Sequence, residues 1–88
     1  MDDTTLDGNA AGGILREVFP FEMTIAEATC AHCGATRTVG ELTVYKSAIG
    51  TVIRCPSCDQ SLMRIVSTRG RYWLDMQGVR VLQIITEL

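Results

Sequence analysis

The sequence predicts a mainly β, small α+β domain: an antiparallel sheet with one N-terminal helix. Three observations predict it. An apolar stripe at helical spacing precedes Pro20; short alternating segments then follow one another at even spacing; and two Cys-x-x-Cys brackets interrupt them, with 21 residues between Cys33 and Cys55. Apolar residues three and four apart share one helix face, whereas strict alternation marks a half-buried strand.

The helix is expected over residues 9–19. Ala10, Ala11, Ile14, Leu15, Val18 and Phe19 form its stripe. Asp7 suits the N-cap and Pro20 stops the run. Gly12 and Gly13 lie inside it, each costing up to about 1 kcal/mol relative to Ala, so packing must hold this helix. It covers one face of the sheet or detaches to dock on a partner. Residues 1–8, acidic and polar, are expected to be flexible, and residues 9–88 to form a single domain.

After Pro20 the pattern turns to β. Met23–Thr29 alternates and runs into Cys30-Ala-His-Cys33. Thr38–Lys46 reads as a strand, residues 47–50 as a turn, and Thr51–Arg54 as a strand leading into Cys55-Pro-Ser-Cys58. Leu62–Val66 leaves that bracket. Arg71–Met76 alternates, Gln77-Gly78 signals a two-residue hairpin, and Val79–Ile85 is the last strand. The elements make a mostly antiparallel meander.

The chain has 88 residues, near the length at which an apolar core alone yields only a few kcal/mol. A metal staple is physically reasonable at that size. The first residues carry neither a basic segment nor an apolar stretch, so no secretory signal is expected. No apolar run approaches the roughly 20 residues of a membrane helix. A reducing, cytoplasmic setting follows, in which thiols stay reduced or bind metal.

Four thiols in two brackets match the ligand demand of one tetrahedral metal ion. The chain reverses over the two middle residues of each bracket, and the residue after it often needs positive φ. Gly34 meets that need freely; Asp59 tolerates it less easily. Pro56 presets the second turn. Cys30, Cys33, Cys55 and Cys58 are thus the expected ligands of one structural zinc ion. Iron would accept the same set. His32, the single histidine, is expected to be exposed or to support a sulfur from outside the ligand shell.

These two brackets, with Gly34 after the first, resemble the knuckles of a zinc ribbon. The whole chain is also similar to a small bacterial zinc-ribbon family of unestablished function. That similarity rests on residues 6–12 (Leu-Asp-Gly-Asn-Ala-Ala-Gly), Glu17-Val-Phe19, both brackets and Arg71-Tyr-Trp-Leu-Asp75. It implies a zinc-ribbon-centred antiparallel sheet. Asp59 departs from the glycine usual after a knuckle. Zinc ribbons serve in transcription factors, polymerase subunits, ribosomal proteins and accessory domains, so the likeness leaves the role open.

Catalysis finds no support. A single histidine and scattered acids define no triad, and Gly8, Gly12 and Gly13 lack the preceding strand and lysine of a phosphate loop. Four thiolates leave a metal no open position for water. No small-molecule substrate is evident. A disulfide oxidoreductase needs a helix after its bracket, and neither bracket has one. A zinc-linked thiol redox sensor is an alternative reading.

Binding is the expected role. The net charge of −2 is unevenly placed: −5 over residues 1–29 and +3 over residues 30–88. Arg69, Arg71, Trp73 and Arg80 could share one basic, aromatic face for nucleic acid if Arg80 joined the others across the Gln77-Gly78 hairpin. The alternative is complementary halves of one fold, with Trp73 supplying core area. The apolar content of 47% is high for this length, and residues 79–85 offer apolar side chains on both faces. A protein partner or self-association is therefore expected.

Overall fold

The computed structural model describes residues 4–87, and the fold is stated for those residues. It is mostly β: two antiparallel sheets and one α-helix. In chain order the strands are β1 (Thr4–Asp7), β2 (Glu27–Cys30), β3 (Thr36–Thr38), β4 (Thr43–Lys46), β5 (Thr51–Arg54), β6 (Ser61–Thr68), β7 (Arg71–Asp75) and β8 (Val79–Gln83). The helix α1 spans Gly12–Val18. The larger sheet runs β1-β4-β5-β6-β7, and the smaller β3-β2-β8.

The meander from β4 to β7 agrees with the sequence, but the start of the chain does not. Residues 4–7, expected to be flexible, form β1 and pair in register with β4. Residues 1–3 lie outside the described region. Leu6 sits opposite Val44, Val44 opposite Ile53, and Ile53 opposite Met63, so Leu6 extends an apolar row already running through three strands. That row, with an open β4 edge, gives residues 4–7 a reason to be ordered.

The helix is shorter than its stripe. Gly8–Ala11 form a 3-10 turn, with the Asp7 carboxylate accepting from the Asn9 N–H at 3.2 Å. Asp7 thus caps the turn, not α1. A Cβ on Gly8 would lie 1.6 Å from the Val39 carbonyl oxygen, so only glycine lets this turn lie against the 3-10 turn at Val39–Glu41. The contact leaves seven residues for α1, which ends before Pro20 as expected. Met23–Ile25, expected to be strand, is another 3-10 turn, and Val39–Glu41 splits the expected Thr38–Lys46 strand into β3 and β4.

Leu15, Met23, Leu42, Ile53, Leu62 and Met63 are fully buried. Each contributes roughly 1.5–3 kcal/mol of apolar transfer free energy. The core therefore lies between α1 with its 3-10 turns and the inner face of the larger sheet.

The last turn overturns a further expectation. Gln77-Gly78 closes no hairpin: β7 pairs with β6 in one sheet, and β8 pairs with β2 in the other. The cause is a close approach distant in sequence. Gly78 donates its N–H to the Leu62 carbonyl (3.2 Å), and its own carbonyl accepts from the Ala31 N–H (2.8 Å). A Cβ there would lie 2.0 Å from the Ser61 carbonyl oxygen. The chain crosses between the sheets at this residue. Among the described residues no helix is long and apolar enough to cross a membrane.

Candidate metal centre

Both brackets form the same turn. β2 delivers Cys30 and β5 delivers Cys55, one from each sheet. Each of these cysteines donates its N–H across the turn, to Ala35 and Gln60 respectively, at 2.9 Å. The residue after each bracket is left-handed, Gly34 at φ +78° and Asp59 at φ +63°, and donates back to the first cysteine's carbonyl at 3.0 and 2.7 Å. Asp59 meets the backbone demand the sequence placed on it.

The turns bring four sulfurs together. Cys30 Sγ lies 3.7 Å from Cys58 Sγ, and Cys33 Sγ lies 3.7 Å from Cys55 Sγ. All four lie within 4.8 Å of one another. A disulfide needs about 2.05 Å, so these are free thiols that converge on one point. Cys30 and Cys55 are buried, Cys58 is half-buried and Cys33 is exposed. The cluster therefore has a core side and a solvent side, and it could hold a metal ion.

Backbone N–H groups aim at the sulfurs. His32 and Cys33 approach Cys30 Sγ at 3.3 and 3.5 Å. Burial pushes the Cys30 thiol up, but the N–H groups of Cys33 and His32, then the sulfurs of Cys58 and Cys33, outweigh it and bring it to about 7. Burial likewise opposes ionisation of Cys55, and the N–H groups of Cys58 and Ser57 overcome it, so that thiol is also lowered. For Cys58, the Gln60 N–H favours the thiolate. Desolvation and the sulfurs of Cys30, Cys33 and Cys55 prevail and push it up to about 12. Four negative sulfurs at this spacing repel one another, and a bound cation removes that penalty.

His32 is exposed and reaches the cluster through its backbone; its side chain lines a shallow groove with Arg64, Asp75 and Gln77. Two contributors escaped the sequence reading. Arg37 on β3 donates to Ser57 Oγ at 2.9 Å, tying the edge of the smaller sheet to the second cysteine turn. Gly78 anchors the first turn through Ala31. Neither has a local signal, since each acts on a residue far along the chain.

The expected basic face is only partly assembled. Arg71 and Trp73 lie on one face of β7, next to Arg69 in the turn. Arg80 is in the other sheet and donates to the Ala31 carbonyl at 3.5 Å, so it does not join them. Trp73, expected to supply core area, is 57% exposed. β7 is an edge strand whose one strand neighbour among the described residues is β6, which leaves Trp73 largely open to solvent.

No curated protein and no solved structure matches the chain. A model described as a family of unknown function, DUF6510, matches residues 2–87. The four-cysteine, two-sheet chain therefore belongs to the DUF6510 family.

Proposed function

We propose that the chain is a zinc-ribbon protein in which Cys30, Cys33, Cys55 and Cys58 hold one structural zinc ion, and that the stapled fold is a non-catalytic interaction module. The sulfur spacing carries the metal reading. Zinc–thiolate bonds of about 2.3 Å in a tetrahedron place the sulfurs about 3.8 Å apart. Both cross-turn pairs stand at 3.7 Å. Four sulfurs fill such a shell, which suits a structural ion and leaves no position for a reacting water.

The ion would join strands of different sheets, since Cys30 ends β2 and Cys55 follows β5. Its binding free energy is then folding free energy. Native mass spectrometry before and after a strong chelator, with circular dichroism and elemental analysis, tests this. One zinc per chain, with structure lost on removal, is expected. Iron instead of zinc, or an intact fold without metal, overturns it.

The interaction reading rests on Tyr72, Trp73 and Leu74, three large apolar residues exposed side by side on β7. A second reading is single-stranded nucleic acid, favoured by the exposed Trp73 ring near Arg69 and Arg71. It predicts retention on an oligonucleotide column that falls steeply with salt and is weakened by Arg71→Ala. Salt-insensitive behaviour supports the protein-interaction reading.

A further inference from the structure

β7 is an open edge. It ends the larger sheet, and every residue from Arg71 to Asp75 is exposed. Edge strands with large apolar side chains are templates for another strand unless charges forbid pairing. Here the charges are placed symmetrically: Arg71 two residues before Trp73, Asp75 two residues after.

An antiparallel copy laid so that Trp73 meets Trp73 sets Arg71 opposite Asp75 at both ends. It also sets Tyr72 opposite Leu74 on the other face. Opposite charges directly across a ladder are favourable and like charges are not. A parallel copy in the same register would instead set Arg71 on Arg71 and Asp75 on Asp75.

The main chain agrees with this register. The two-residue turn Arg69-Gly70 closes the β6–β7 hairpin on Thr68 and Arg71. Hydrogen-bonded pairs alternate along such a ladder, so Arg71, Trp73 and Asp75 bond to β6, and the N–H and C=O groups of Tyr72 and Leu74 face the open edge. In the register centred on Trp73, those two residues meet each other across the edge and can exchange bonds in both directions. The Trp73 pair then falls at the close, non-hydrogen-bonded position.

We propose that β7 pairs antiparallel with β7 of a second copy about a two-fold axis at Trp73, joining two five-stranded sheets into one. This rests on the interaction reading above and names the partner. The interface is isologous. A strand pair this short lies at the low end of interface sizes, so the dimer is reversible and concentration-dependent.

Sedimentation and native mass spectrometry of the metal-loaded full chain test it. The natural chain is expected to pass from monomer to dimer as concentration rises. Arg71→Asp and Asp75→Arg should each raise the midpoint at least about tenfold, by setting like charges opposite one another. Mixing the two variants should restore a dimer, and only a heterodimer, because altered ends then face altered ends with opposite charge. Circular dichroism and metal content confirm that each variant is folded.

A natural chain monomeric at its highest soluble concentration overturns the proposal. So do single variants that dimerise normally, a mixture without heterodimer, or an added single-stranded oligonucleotide bound by monomers that never dimerise. The metal count keeps the two proposals separable. A zinc-loaded monomer overturns β7 pairing alone; a metal-free dimer upholds it and overturns the zinc reading.

Discussion

Gly34 and Asp59 stand at the same place in the two cysteine turns, each left-handed and each donating its N–H to the carbonyl of the first cysteine of its turn. Glycine adopts that backbone without steric cost, whereas a side chain costs roughly 1 kcal/mol, less for Asp than for most. Asp59 keeps its carbonyl in use, accepting from Arg54 Nη1 at 2.9 Å, and glycine at 59 retains that contact. Asp59→Gly is therefore expected to stabilise the protein by a few tenths to about 1 kcal/mol. Gly34→Val is expected to destabilise it by about 1–2 kcal/mol. Urea unfolding of metal-loaded protein gives both values.

Gly78→Ala should be far more damaging. Its Cβ would meet backbone, the Ser61 carbonyl oxygen at 2.0 Å and Leu62 Cα at 2.7 Å. Neither can swing aside as a side-chain tip can. A loss on the order of 3 kcal/mol is expected, since the crossing must move and two backbone hydrogen bonds move with it. Near-normal folded yield and thermal midpoint would show that the crossing is looser than its contacts indicate.

Trp73 and Ile53 separate exposed from buried apolar area. Ile53 is fully buried in the row that crosses the larger sheet, and Ile53→Ala should cost about 2–5 kcal/mol. Trp73 is exposed and makes one side-chain hydrogen bond, to Thr68 Oγ1 at 3.3 Å. Trp73→Ala, in protein dilute enough to be monomeric, should change stability by less than about 1 kcal/mol. Denaturation of the two variants side by side checks the contrast.

Two surface groups give the stability profile opposite limbs. The Glu22 carboxyl is held below its usual value by the Thr24 hydroxyl at 2.6 Å, with Arg16 assisting against some desolvation. A lowered carboxylate contributes stability above its unfolded pKa, and that contribution is lost as pH falls through the folded value. Glu22→Gln should flatten the acid limb. Tyr72 donates its hydroxyl to Glu17 at 2.7 Å, which pushes the phenol up, with burial and the Glu17 charge acting the same way. A raised phenol contributes stability below its unfolded pKa, lost as pH rises through the folded value. Tyr72→Phe should flatten the alkaline limb and leave the acid limb unchanged. Unfolding midpoints across the pH range distinguish the two.

What was legible in the sequence is what short-range chemistry dictates. Cys30, Cys33, Cys55 and Cys58 announce themselves by spacing, Gly34 and Asp59 by following a tight turn, and Pro20 by ending a helix. Residues 4–7 were illegible because their order comes from one apolar side chain, Leu6, meeting Val44 across the sheet. Gln77-Gly78 carries the residues of a hairpin turn. What sends β8 to the other sheet is the backbone of Ser61 and Leu62 pressing on Gly78, which no local pattern records. Trp73 has the composition of a core residue, and only the position of β7 at the end of a sheet leaves it outside.

β8 is synthesised after every other described strand, yet it flanks β2 in the smaller sheet. All four cysteines emerge before it does, so the thiols can gather on a chain whose second sheet is still two strands wide. Until Val79–Gln83 arrives, β2 offers one bare edge beside the sulfurs, and the Ala31 N–H waits for the Gly78 carbonyl. During that interval of synthesis the nascent chain can be chemically complete at its cysteines while still sticky along Glu27–Cys30. A chain cut between β7 and β8 would keep that form: cysteines gathered, larger sheet assembled, and an edge open to other chains and to proteases.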